Sequence, residues 1–251
     1  HHSLADPADA GREESDQAQR LAENWDAPVV VTTSAQFFES LFSNQPSRCR
    51  KLHNIGRSVV ILDECQTLSP SLVAPTCQML QDLVAQAGCS IVLCTATQPA
   101  WRRREDLPAG LDGVVEIVPP ELNLYEKLKR VHISWPASRE ETWAWTDVAS
   151  RMMECGQALC VVNTRKKARV LFEEIRQRGG RGFHLSTTMC PAHRMAVIDE
   201  VKNLLVHHQT CLLVSTQLIE AGVDLDFPVV FRELGPLESI IQAAGRCNRE
   251  G

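Results

Sequence analysis

The 251 residues carry 26 Lys and Arg against 31 Asp and Glu, a formal net charge of -5, with 44% hydrophobic and 23% charged residues. That profile excludes a disordered chain and gives enough apolar material for one large domain or two smaller ones, of which two is the expectation. It also excludes a broadly basic nucleic-acid-binding surface, though not a local groove of amides, hydroxyls and a few cations.

No apolar run approaches the roughly 18 residues of a membrane span. The acidic stretch from Leu4 to Glu23 lacks the basic start and apolar middle of a signal peptide, so a cytoplasmic chain is expected. The ten cysteines contain no C-x-x-C pair, and Cys65, Cys94, Cys160 and Cys211 lie in or beside apolar runs, where a reduced thiol serves as a small hydrophobe.

In chain order, six short runs rich in Val, Ile and Leu read as strands: Val29 to Val31, Val59 to Leu62, Ile91 to Leu93, Leu159 to Val162, Cys211 to Val214 and Val229 to Phe231. Continuous apolar runs of this length suit strands buried on both faces of a parallel sheet. The polar residues that end them suit a ligand site along the carboxyl edge.

Helical segments alternate with the runs. Leu72, Thr76, Met79, Leu80, Leu83 and Val84 recur at helical spacing before Gly88, and Lys166 to Arg178 stops at Gly179-Gly180. Pro191 and Pro236 each sit where they could open a helix, over Arg194 to Leu205 and Leu237 to Ala244. The fold class expected is α/β with parallel sheets flanked by helices. The alternation falters between Pro99 and Pro136, which predicts a domain over residues 1–118, a connector over 119–127 and a second domain over 128–251 that opens with a strand near Val131 to Ser134. Trp135, Trp143 and Trp145 are expected to pack near that junction.

Chemistry-bearing residues fall at the strand ends. Asp63-Glu64 follows Val59 to Leu62, where one carboxylate could hold Mg²⁺ and its neighbour could polarise a water for attack on a γ-phosphate. An Asp-Glu pair can equally just end a strand. Thr95 and Thr97 follow the next run, with hydroxyls able to link a phosphate site to a nucleic-acid track. In the second half, Thr216, Gly222 and Asp224 follow Cys211 to Val214, the glycine allowing close backbone approach and Asp224 able to bind a ribose or an arginine. Gln242, Arg246 and Arg249 follow on the helix begun near Pro236, where a spacing of three predicts that the two guanidinium groups share one face and meet the charge of a transferring phosphoryl group. Arg102-Arg103-Arg104, Arg165-Lys166-Lys167 and His207-His208 read as solvated surface.

These four elements, in this order, resemble motifs II, III, V and VI of superfamily 2 helicases. More narrowly, Val30-Val31-Thr32-Thr33, Asn54 to Ser58, Asp63-Glu64-Cys65-Gln66-Thr67-Leu68 and Gln242 to Gly251 resemble the CRISPR-associated helicase-nuclease of type I interference systems. The resemblance implies two RecA-like domains with ATP bound between them, and 3′-to-5′ translocation on single-stranded DNA. It also implies recruitment by the RNA-guided surveillance complex Cascade, with its CRISPR RNA, and degradation of the DNA by a transition-metal HD nuclease. Carried onto this chain, it makes Asp63 the Mg²⁺ ligand and Glu64 the base, and turns Gln242, Arg246 and Arg249 toward the phosphates. Gln66, Gly222 and Asp224 lie near the nucleotide. Thr32, Thr33, Thr95, Thr97, Asn163, Thr164, Ser186, Thr187 and Thr216 line the DNA track.

The departures are a missing G-x-x-x-x-G-K-[ST] loop and a missing HD cluster, so these 251 residues alone are expected to hydrolyse ATP negligibly. Two other readings remain: a superfamily 2 ATPase of another pathway, restriction or DEAD-box-like, and a non-catalytic nucleic-acid-binding module.

Overall fold

A computed structural model describes residues 21, 23–65, 70–95, 101–138, 140–219 and 223–249. Gln66, Thr97 and Gly222 lie outside the described residues. The chain divides into two compact units, residues 1–117 and 118–251.

In the first unit Thr33 starts helix α1 (Ser34–Phe42), its side chain accepting the Gln36 amide, and short turns of helix follow at Pro46–Cys49 (α2) and Leu52–Ile55 (α3). Strand β1 (Val59–Leu62) and strand β2 (Ser90–Leu93) pair in parallel with Leu62 opposite Leu93, and helix α4 (Pro70–Ala87) makes the crossover between them. Gly88, at φ +66°, turns the chain out of α4. One face of β1 packs inward, where Leu62 joins Phe37, Ile55, Leu80 and Leu83. The other face does not: Val59 is 66% and Ile61 64% exposed.

Val29 to Val31 forms no strand, contrary to expectation, and Val29 and Val31 are exposed. An apolar run becomes a strand only where a neighbouring strand takes its backbone groups and a layer covers its side chains. Among the described residues the sheet of this unit has two strands, and Val29 to Val31 pairs with neither.

The second unit opens with a single 3₁₀ turn (Pro120–Leu122) and helix α5 (Leu124–Lys127), joined by Asn123 in the left-handed region at φ +46°. Val131 to Ser134 belongs to no strand among the described residues, so the strand expected there is also not formed. Trp135 and Trp143 are exposed rather than packed. Arg151 stacks on the Trp143 ring at 3.8 Å, while Trp145 packs against the core.

From there alternation is regular. Helix α6 (Trp145–Cys155), strand β3 (Gln157–Val161), helix α7 (Arg165–Gln177), strand β4 (Gly182–Leu185), helix α8 (Pro191–Val206), strand β5 (Cys211–Ser215), strand β6 (Val230–Arg232) and helix α9 (Leu237–Ala244) follow in turn. The four strands are parallel in the order β4-β5-β3-β6.

Side chains alternate across such a sheet, and here both faces are covered. Leu159, Val161 and Leu213 face Ile198, Val201 and Leu204 of α8, with Phe227 and Ala243 of α9 completing that side. Ala158, Cys160, Leu212 and Val214 face Val148 and Met152 of α6 and Leu171 and Ile175 of α7. Burial pushes the Cys160 and Cys211 thiols up to about 12 and Cys65 to about 11, so these three cysteines act as small apolar side chains.

Candidate nucleic-acid interface and strand-end carboxylates

In the first unit β1 delivers Asp63 to an exposed turn. Glu64 follows at φ +51°, a left-handed conformation that costs a non-glycine residue on the order of 1 kcal/mol or more, and its amide donates to Asp63 Oδ1 at 3.0 Å. That bond occupies one carboxylate oxygen and leaves the other facing solvent. The Cys94 amide donates to the Leu62 carbonyl at 2.9 Å, which sets the end of β2 beside the end of β1 and brings Thr95 next to the Asp63-Glu64 turn. Thr32 lies on the approach to α1, and Thr33 is its N-cap at 3.2 Å from the Gln36 amide.

In the second unit, three adjacent strand ends open onto one cavity of about 370 Å³. Asn163, Thr164 and Arg165 follow β3, Thr187 follows β4, and Thr216, Gln217 and Leu218 follow β5. Four residues assigned from sequence to a nucleic-acid track therefore converge, although they lie up to 53 positions apart in the chain (163 to 216). Ser186 does not join them: it is buried, with its hydroxyl 2.8 Å from that of Thr188.

Thr164 caps α7, accepting the Lys167 amide at 3.3 Å, so the cavity sits at the start of a 13-residue helix. The open amides of a helix's first turn and its dipole favour an anion there. Sequence reasoning missed Arg165, which lines the cavity, and Lys167, which pairs with Glu233. Arg102, Arg103 and Arg104 do behave as surface, each paired with an exposed acid: Glu116, Asp112 and Asp106.

The arginines near the end of the chain need a correction. Helix α9 stops at Ala244, and neither Arg246 nor Arg249 lies on it. Beyond Gly245 the bonds tighten from the Gly245 amide on Ile241 to the Arg246 amide on Ala243 and the Cys247 amide on Ala244, so the chain leaves the helical path. It then runs beside Phe227, whose amide donates to the Arg246 carbonyl at 2.9 Å and whose carbonyl accepts from Asn248 at 3.1 Å. The two guanidinium groups consequently diverge. Arg246 Nε donates to the Ile219 carbonyl at 3.1 Å, and Arg249 pairs with the exposed Asp224 at 2.6 Å. Gln242 remains on α9.

Among the described residues no group of three or more His, Cys, Asp or Glu gathers as a metal site, and no helix is long and apolar enough to cross a membrane. One exposed carboxylate oxygen at Asp63 fits Mg²⁺, which keeps several waters and takes one or two carboxylates alongside substrate phosphates.

Residues 154–251 match the family model described as CRISPR-associated nuclease/helicase Cas3, C-terminal. The CRISPR-associated nuclease/helicase Cas3 of Haloferax volcanii is 25% identical over 96% of this chain and 35% of its own length. The second half of the chain is thus similar to the C-terminal part of Cas3. The crystal structure of T. fusca Cas3 with AMPPNP superposes with a TM-score of 0.64 at 19% identity, covering 89% of this chain and 30% of that one. A structure described as a CRISPR RNA-guided surveillance complex, pre-nicking, gives a TM-score of 0.62 at 18% identity over 96% of this chain and 35% of that one. These likenesses support the α/β fold with RecA-like domains. The chain spans about a third of the length of these relatives.

Proposed function

We propose that this chain is the ATP-dependent, single-stranded-DNA-translocating portion of a type I CRISPR interference helicase. In this reading the second unit grips the strand, and the carboxylates of the first unit and the arginines of the second are both assigned to ATP. The observation that carries it is the convergence of Asn163, Thr164, Thr187 and Thr216 on one cavity at the start of α7. Hydroxyls, helix-start amides and a single arginine hold a phosphate backbone without reading its bases, which is what a translocase requires.

At the ATP, Asp63 would hold Mg²⁺ and Glu64 would orient the attacking water. The metal supplies charge neutralisation at the β- and γ-phosphates. Gln242, Arg246 and Arg249 are assigned to the phosphates and Asp224 to the nucleotide, as are Gln66 and Gly222 by their resemblance. The pairing of Arg249 with Asp224 supports a role in which Asp224 holds that guanidinium until phosphate replaces it. In the first unit Thr32, Thr33, Thr95 and Thr97 are assigned to the strand, which moves 3′-to-5′, while Ser186, buried with its hydroxyl on Thr188, does not touch it. The AMPPNP-bound T. fusca relative supports nucleotide binding, and the surveillance-complex relative supports Cascade with its CRISPR RNA as partner in the cytoplasm, upstream of an HD nuclease. Because the 251 residues contain no G-x-x-x-x-G-K-[ST] loop, they bind strand without turning over ATP.

Anisotropy of a labelled oligo-dT tests the reading. The chain should bind it with an affinity that falls as salt rises, and Arg165→Glu should weaken binding by about tenfold or more. Equal affinity of the Arg165→Glu variant would overturn the assignment of this cavity.

A further inference from the structure

Asn163, at the edge of the cavity, is held by three consecutive residues that do not line it. Glu233 Oε2 accepts the Asn163 amide at 2.7 Å. Arg232 Nη1 donates to Asn163 Oδ1 at 2.7 Å and also to the Glu233 carbonyl at 2.7 Å, while Asn163 Nδ2 donates to the Leu234 carbonyl at 2.8 Å. The backbone amide and both ends of the side-chain amide are therefore fixed from outside.

The other oxygen of Glu233 pairs with Lys167 Nζ, and Lys167 is the residue whose amide Thr164 caps. One carboxylate thus grips both the loop after β3 and the first turn of α7. The Glu233 amide in turn donates to the Val161 carbonyl at 3.0 Å, which ties the acid to the last residue of β3.

The packing behind this arrangement is tight. A Cβ at Gly235 would lie 3.2 Å from Arg232 Nη2 and 3.3 Å from Asn163 Oδ1, so even one methyl group would press on the Arg232-Asn163 contact. The Glu233 side chain is 22% exposed. Burial pushes its carboxyl up, but the Asn163 amide, Lys167 and Arg232 outweigh this and hold it below the usual carboxylate range, so it stays charged. With both oxygens engaged, it is placed to hold neighbours rather than to take a ligand.

We propose that Arg232, Glu233 and Leu234 form a clamp that positions Asn163 and the start of α7 on the cavity, so that Glu233 sets strand affinity without touching the strand. The inference rests on the cavity's reading as a nucleic-acid site.

The test uses the 251-residue chain, labelled oligo-dT and a double-mutant cycle. Glu233→Ala is expected to weaken binding about tenfold, because a charged acceptor of two donors is lost. Glu233→Gln, which keeps an acceptor for the Asn163 amide, should bind within about threefold of the parent chain. Asn163→Ala combined with Glu233→Ala should lose little more than Glu233→Ala alone, since the acid acts through Asn163. The slope of affinity against salt should not change in any of them, because none removes a cation from the phosphate backbone.

Gly235→Ala, which removes no charge, should weaken binding as well and provides the second route should Glu233→Ala fail to fold. Additive losses in the cycle, a steeper salt slope in Glu233→Ala from a released Lys167, or unchanged binding in both Glu233→Ala and Gly235→Ala would each overturn the clamp. A parent chain that ignores oligo-dT would instead overturn the cavity reading beneath it.

Discussion

The two units are made from similar apolar runs and the same strand-helix alternation, yet their sheets are in different states. Every residue of β5 is buried, whereas alternate residues of β1 face outward, though both are stretches of Val, Ile, Leu and Cys apart from the Ser215 that ends β5. The difference is in the cover: α6 and α7 lie on one face of the second sheet and α8 and α9 on the other, while among the described residues one layer packs on β1 and β2. Apolar composition thus sets the capacity for burial, and the neighbours decide how much is realised.

The largest effect that would sharpen the comparison is catalytic. In a version of the protein that includes a phosphate-binding loop, Glu64→Gln in the first unit and Arg246→Ala in the second should each lower DNA-stimulated ATP hydrolysis by about 10³ while ATP affinity changes much less. Steady-state phosphate release and nucleotide binding, measured separately, check this. An effect in one variant alone would confine the ATP chemistry to that unit.

Next comes the core. Leu213→Ala, at a fully buried site between α8 and its neighbours, should cost about 2–5 kcal/mol, and Ile61→Ala on the open face of β1 no more than about 1 kcal/mol. Denaturant unfolding followed by hydrogen exchange assigns each loss to its unit, and equal losses would break the contrast.

The helix caps should behave alike instead. Thr33→Ala and Thr164→Ala each remove one N-cap bond, at 3.2 and 3.3 Å, and each should cost about 1 kcal/mol. Thr164→Ala should also weaken oligo-dT binding, and by more than Thr33→Ala, because Thr164 lines the cavity and Thr33 does not.

The smallest effect is in pH and belongs to the second unit. Burial lowers the His184 pKa, so the folded state prefers the neutral ring. As pH falls below about 6.5 the unfolded chain takes the proton first, and stability falls until the folded-state pKa is passed. Substitution of His184 by Phe should flatten the melting temperature across that window, and a profile unchanged from the parent chain would remove His184 as its source.

Much of this was legible in the sequence. The α/β alternation and the strand end before Thr216 could be read from apolar runs, because a parallel sheet puts every strand's carboxyl end on one edge, whereas Asn163, Thr164 and Thr187 came from the resemblance and Gly182–Leu185, with one aliphatic residue, gave no apolar run. Other features depended on information that local pattern does not contain. Whether Val29 to Val31 or Val131 to Ser134 becomes a strand is settled by a partner strand, and among the described residues neither run belongs to a sheet. Arg246 and Arg249 have helical spacing, but the tightened bonds past Gly245 end the helix before either. Glu233 followed its strand just as Asp63 and Glu64 follow theirs, and only contact across 70 positions of sequence shows that it holds Asn163.

The open stripe of Val59 and Ile61 affects how these molecules meet one another. Two branched side chains on one face of a strand, with a net charge of only -5 over the chain, leave little electrostatic repulsion to keep neighbouring molecules apart. Ions that salt proteins out raise the cost of wetting that stripe and screen what repulsion there is. Clouding of concentrated samples should therefore begin at the first unit, while the four-stranded sheet beside its cavity is still folded.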